Sequence, residues 1–230
     1  MIHVCFGLHD ADGRYSKFTG TTITSIFMNT SSQVTAHILH DNTLTDENRD
    51  KFSWTAGRYG QTVKFYNVEE LCADKIEMIR RDFPALKEHW LTVGALFKCF
   101  IPDVLPDNDK AIYLDSDIIA NLDIVELWRV DLGEKILGVV TELSNGRDVQ
   151  NQFSLVADGI VKAEDYFNTG VMLMNLKLMR DETQKIADGI KFIAQNPKYQ
   201  LLGSGRSQSV LFDAGFSPAD KIQSLCRQRA

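Results

Sequence analysis

Three short runs rich in β-branched and aromatic residues, IHVCFGL (2–8), VTAHILH (34–40) and TVKFYNV (62–68), alternate with longer segments of helical period. Runs of this length, bounded by polar turns, suit buried strands. Between the first two, Ile23, Ile26 and Phe27 recur at i, i+3 and i+4, which predicts an amphipathic helix from Phe18 to about Thr30, with ADGRYS as the loop before it. Between the second and third, Thr45 is the expected N-cap of another helix, with Asp46 and Glu47 in the first turn, where carboxylates suit the positive end of the helix dipole. Strand, helix, strand, helix, strand in this order implies an α/β fold: a Rossmann-like, mostly parallel sheet with helices on both faces.

The rest of the chain continues the pattern. A helical stretch is expected from about Thr92 to Phe100, and Pro102 and Pro106 punctuate the connection to a fourth strand, AIYL (111–114). KILGVVTE (135–142) and DYFNTGVMLMNL (165–176) are further strand candidates. A helix with Met179, Ile186, Ile190 and Ile193 along one face follows, closed by Asn196-Pro197, and SQSVLFDAGF (207–216) is a further short helix. No repeat or Pro/Gly/Ser-rich linker divides residues 1–230, so a single domain is expected.

In open sheets of this kind, ligands lie beyond the carboxyl ends of the strands. That rule brings two sequences to one edge: His9-Asp10 after the first strand, and Asp115 and Asp117 in AIYLDSDIIANLDIVELW (111–128) after the fourth. Two like charges one residue apart must be offset by water, a cation or a basic group. If the segment stays extended, residues i and i+2 project to one side, so the two carboxylates can converge on one point. A hard divalent cation completed by water and phosphate oxygens suits such a pair. Composition narrows the partners further. With 25 Lys plus Arg against 31 Asp plus Glu and a formal charge of −6, the chain lacks the basic footprint of a nucleic-acid binder. The four cysteines are widely spaced and form no CxxC pair. They are expected to be buried reduced thiols of a cytoplasmic protein. The N-terminal segment lacks a basic n-region, and no apolar run reaches the roughly 20 residues of a membrane span, though peripheral membrane contact stays open.

The run YLDSD, followed by YFNTGVMLMNL, resembles the family 8 glycosyltransferases, retaining enzymes of GT-A fold that include bacterial lipopolysaccharide galactosyl- and glucosyltransferases and glycogenin. HILHDNTLTDENRDKF (37–52) and LWRVDLG (127–133) fall in the family's order as well. The resemblance implies a nucleotide-sugar donor, a UDP-hexose such as UDP-glucose or UDP-galactose, and a glycan or glycolipid acceptor. It implies Asp115 and Asp117 as ligands of Mn²⁺ or Mg²⁺ and of the diphosphate, with Ser116 near the ribose. It also implies Asn168 at the donor or acceptor sugar, Gly170 as a point of close backbone approach, and His9 and Asp10 in the turn that holds the nucleotide. Lys98, in ALFKCF, matches an arginine that helps bind the donor; lysine keeps the charge without the bidentate fork.

The late part departs from the family. A segment expected to read about DQDxLN is Ser207-Gln208-Ser209-Val210-Leu211-Phe212 here. Gln208 is retained, on the family's catalytic face, but both flanking carboxylates are serines. All five histidines precede Asp115, and no HFxGxxKPW-like segment follows. A C-terminally incomplete family member is therefore expected. Two further functions stay open: a nucleotide-sugar-binding remnant without transferase activity, and a phosphohydrolase of the haloacid dehalogenase type, whose nucleophilic aspartate also ends a strand as DxD.

Overall fold

The computed structural model describes residues 1–82, 94, 96–141, 158–160, 167–183, 188, 195 and 196. In chain order, the elements are β1 (Ile2–Leu8), α1 (Arg14–Asn29), β2 (Val34–His40), α2 (Asp46–Arg58), β3 (Thr62–Asn67), α3 (Val68–Leu71) and α4 (Ala73–Asp82). A 3₁₀ turn (Phe97–Phe100) then leads into α5 (Ile101–Val104), β4 (Lys110–Leu114), α6 (Val125–Trp128), β5 (Leu137–Thr141), β6 (Phe167–Asn175) and α7 (Leu176–Asp181). The six strands form one sheet in the order β3-β2-β1-β4-β6-β5. The β3-β2-β1-β4 part is parallel, while β6 runs antiparallel to both β4 and β5. That antiparallel strand brings the start of β6 to the carboxyl end of β4: Leu114 pairs with Val171, and the Asp115 N–H donates to the Gly170 carbonyl at 2.8 Å.

Each face of the sheet has its own core. Val4, Phe6, Ile38 and Leu114 pack with Ile23, Ile26 and Phe27 of α1 and Phe52 of α2. On the opposite face Cys5, Leu39, Tyr113 and Met172 pack with Val68, Ile76, Phe97 and Ile101. Strand side chains alternate between faces, so a strand buried on both sides must be apolar throughout, as β1 largely is. Cys5, Cys72 and Cys99 are buried free thiols; burial pushes Cys99 up to about 12 against the opposing pull of the Lys98 charge, which keeps it an inert thiol.

Three boundaries differ from the sequence reading. The helix expected from Phe18 begins at Arg14, because Gly13 adopts a left-handed φ of 76° and the Asp12 carboxylate accepts the Arg14 N–H at 3.1 Å. Its first turns bury Ser16, Thr19 and Thr22, so the apolar period is silent there. The third strand stops at Asn67, whose side chain accepts the Glu69 N–H at 3.2 Å and starts α3. The helical stretch before β4 runs on to Val104, because Pro102 occupies a first-turn position, where its missing N–H costs nothing. Of the helix expected to carry Met179, Ile186, Ile190 and Ile193, the Met179 end lies in α7; the rest of it lies largely, and the helix over 207–216 wholly, outside the described residues.

Candidate active site at the carboxyl edge of β1 and β4

β1 and β4 are adjacent and parallel, with Val4 opposite Ile112 and Cys5 opposite Tyr113. Their carboxyl ends, His9-Asp10 and Asp115-Ser116-Asp117, therefore share one edge. β4 ends at Leu114 and the chain turns at Ser116-Asp117, so the extended i, i+2 geometry expected of the pair gives way to a turn. Its residues face opposite ways. Asp115 is half-exposed and Asp117 exposed, whereas Ser116 is buried. The Ser116 hydroxyl accepts from Thr19 Oγ1 at 2.8 Å, and Thr22 Oγ1 donates to the Ser116 and Ile118 carbonyls, each at 2.7 Å. Farther along α1, Ser25 Oγ accepts the Ala120 N–H at 2.9 Å and Asn29 Nδ2 donates to the Ala120 carbonyl at 2.8 Å. One face of α1 thus fastens the whole strip from 116 to 120 by polar contacts.

Asp115 receives its offset charge from below. Lys98, only 2% exposed, places Nζ 3.4 Å from Asp115 Oδ1 and 3.2 Å from both the carbonyl and the Oγ1 of Thr169. Tyr113 Oη donates to the same Oδ1 at 2.8 Å. Burial pulls the Lys98 pKa below lysine's ordinary value, and the Asp115 carboxylate acts against that shift. Burial, reinforced by Asp115, likewise pushes the Tyr113 phenol well up, so it stays a donor at neutral pH. Asp115 Oδ2 and the Asp117 carboxylate have no hydrogen-bond partner among the described residues.

The β1 turn is built by β2. His9 Nδ1 lies 2.5 Å from Asp41 Oδ2, and Asp41 Oδ1 accepts the Thr43 N–H at 3.0 Å. Thr43 Oγ1 accepts the Asp10 N–H at 2.7 Å. The buried Asp10 carboxylate accepts from Ser16 Oγ and from Asn48 Nδ2 (3.2 Å) on one oxygen; its Oδ1 is buried with no partner among the described residues. An unpaired buried carboxylate oxygen costs on the order of 1–3 kcal/mol or more, so this atom marks a place for a donor group. Gly94 lies against this turn so closely that a Cβ there would meet His9 Cβ at 2.9 Å.

The expected site residues thus divide. His9, Asp10, Asp115, Asp117 and Gly170 stand at this edge, with Lys98 directly beneath it and Ser116 turned into α1. Asn168 lies on β6 with its main chain opposite Val140, and Gln208 lies outside the described residues. Sequence reasoning missed Asp41, Tyr113, Thr169, Thr19 and Thr22. Asp41 was findable, since it follows β2 as Asp10 follows β1, and the strand-end rule applies to both. Thr19, Thr22 and Ser25 also carried a signal in their helical spacing. Tyr113 read as core, and nothing in the sequence alone separates its hydroxyl from its ring.

Hard oxygen donors are available for a cation: Asp115 Oδ2 and the Asp117 carboxylate suit Mg²⁺ or Mn²⁺ if ligand oxygens and water fill the other positions. Among the described residues no group of three His, Cys, Asp or Glu side chains is placed to hold a metal by itself.

A sheet of this order with a strand-end carboxylate pair fits the GT-A type glycosyltransferase fold that the resemblance implies. The galactosyltransferase LgtC, solved in complex with donor and acceptor sugar analogs, superposes with a TM-score of 0.70 at 20% identity, covering 92% of this chain and 70% of that one. The chain belongs to glycosyl transferase family 8, whose sequence profile matches residues 8–211. A protein of Haemophilus influenzae is 25% identical over 175 residues, which is 76% of this chain and 49% of the relative. General stress protein A of Bacillus subtilis is 22% identical over 198 residues, 84% of this chain and 63% of the relative. The chain therefore spans about half to two-thirds the length of these relatives. Family membership sets aside the phosphohydrolase reading.

Proposed function

We propose that this chain is a metal-dependent hexosyltransferase that takes a hexose from a nucleotide sugar, UDP-glucose or UDP-galactose, and passes it to a glycan or lipopolysaccharide-type acceptor. The observation that carries the reading is the convergence of the Asp115-Ser116-Asp117 turn, the Gly170 carbonyl and the His9-Asp10 turn on one sheet edge. Asp10 Oδ1, buried and bare, is an acceptor for an N–H or O–H of the nucleotide. His9, fixed by Asp41, stands beside it in the same turn. Asp115 and Asp117 hold the cation; Mn²⁺ or Mg²⁺ there supplies charge neutralisation for the departing diphosphate. Asn168 and Gln208 are assigned to the sugar, with retention of configuration, on the family resemblance alone. LgtC, solved with donor and acceptor sugar analogs, supports the two-substrate reading. We place the protein in the cytoplasm on its buried, free thiols. No helix among the described residues is long and apolar enough to cross a membrane.

Calorimetry with UDP and Mn²⁺ tests the site. Asp115→Asn and Asp117→Asn are each expected to abolish metal-dependent UDP binding, and unchanged affinity would remove the metal assignment. A second reading, a nucleotide-sugar-binding remnant without transfer, is favoured by Ser207 and Ser209 in place of carboxylates. Release of UDP from UDP-glucose or UDP-galactose, at a rate that Asp117→Asn lowers, would eliminate it.

A further inference from the structure

Asp115 is gripped on one oxygen and bare on the other. Its Oδ1 accepts from Tyr113 Oη at 2.8 Å and lies 3.4 Å from Lys98 Nζ, while Oδ2 has no partner among the described residues. The Lys98 ammonium is in turn shared, with two of its contacts, at 3.2 Å, made to the Thr169 carbonyl and hydroxyl, and with the Tyr113 ring centroid 4.4 Å away. An ammonium has three donors, and each one taken by Thr169 is a donor withheld from the carboxylate.

We infer that Tyr113, Lys98 and Thr169 form a clamp that orients Asp115 through Oδ1, presents Oδ2 alone to the donor-bound cation, and uses Thr169 to limit how much Lys98 neutralises the carboxylate. The inference rests on the functional reading above. It makes Lys98 a positioning residue, too deeply buried to meet the donor directly. Thr169, between the two residues of FNTG first singled out for the site, becomes the residue that sets the carboxylate's effective charge. Without the Thr169 hydroxyl, the ammonium turns further toward Asp115 and competes with the divalent ion. Without the Tyr113 hydroxyl, the carboxylate is free to rotate and pair with Lys98 through both oxygens.

The test is Mn²⁺ affinity in the presence of saturating UDP, read by electron paramagnetic resonance of free Mn²⁺ on the full chain. Thr169→Val is expected to weaken Mn²⁺ binding about tenfold, the size of one hydrogen bond to a charged group. Thr169→Ser, which keeps the acceptor, should restore binding to within about twofold of the unsubstituted chain, well inside that single-bond effect. Tyr113→Phe should weaken it about fivefold or more on the same basis. Equal affinity in the Val, Ser and Phe variants would overturn the clamp while leaving the functional reading intact. No Mn²⁺ binding by the unsubstituted chain with UDP would remove the functional reading and the clamp together.

Discussion

The two aspartates at the end of β4 pose a problem of charge that is solved separately for each. Asp117 is exposed and left to water. Asp115 is half-covered and has Lys98 beneath it, a pairing whose cost is the burial of an ammonium that then needs every one of its donors met. That demand explains the contacts with Thr169 as well as Asp115. The glycines nearby work by size. A Cβ on Gly7 would lie 2.9 Å from the Gly94 carbonyl, a backbone atom that cannot swing aside. Gly7→Ala is expected to destabilise the fold by about 1–3 kcal/mol, as overpacking does, with a matching drop in the urea midpoint. Gly94→Ala pushes instead on His9 and should weaken UDP binding as well as stability, which calorimetry would show.

At the scale of the element, α1 has two working faces. Ile23, Ile26 and Phe27 bind it to the sheet, and Thr19, Thr22, Ser25 and Asn29 bind the strip after Asp115 to the helix. Thr22 is a central fastening, since its one buried hydroxyl proton is shared between the Ser116 and Ile118 carbonyls. Thr22→Val keeps shape and removes the donor. We expect a loss of about 1–3 kcal/mol, the cost of leaving buried acceptors unmet, together with faster amide exchange over residues 116–120. Helices α1 and α2 and the places of the described strands could be read from period and capping: Thr45 caps α2 as its sequence position suggests, accepting the Asn48 N–H at 3.2 Å, whereas α3 and α4 were not read, α3 starting at the last residue assigned to the third strand. The start of α1 could not, because polar residues buried against another polar strip look like a solvated face in one dimension.

At the scale of the whole molecule, a proton-ordered chain crosses the sheet from β1 to β3. Asn108 Nδ2 donates to His3 Nε2, so His3 Nδ1 donates to His37 Nε2 and His37 Nδ1 to Tyr66 Oη, each at 3.0 Å. Both imidazoles are neutral in this arrangement. Burial, with His3 and Lys64 adding to it, lowers His37 from 6.5 to about 3. A folded-state value below the unfolded one means that the unfolded chain takes up the proton first. Stability is therefore full above about pH 6.5 and falls as pH drops toward 3. Between pH 7 and pH 5 the loss from His37 alone is about 2 kcal/mol. Urea midpoints at the two pH values should show it, and His37→Gln should flatten the difference.

The sequence by itself determined the α/β alternation and the strand ends at which His9, Asp10, Asp115 and Asp117 stand, because strand period and chain reversal are local properties. Only the tertiary structure decided the antiparallel insertion of β6, the union of Lys98, Tyr113 and Thr169 around one oxygen of Asp115, and the fastening of residues 116–120 to α1. Those contacts join residues far apart in the chain, and their energy depends on burial, which no stretch of residues carries until the fold has closed around it.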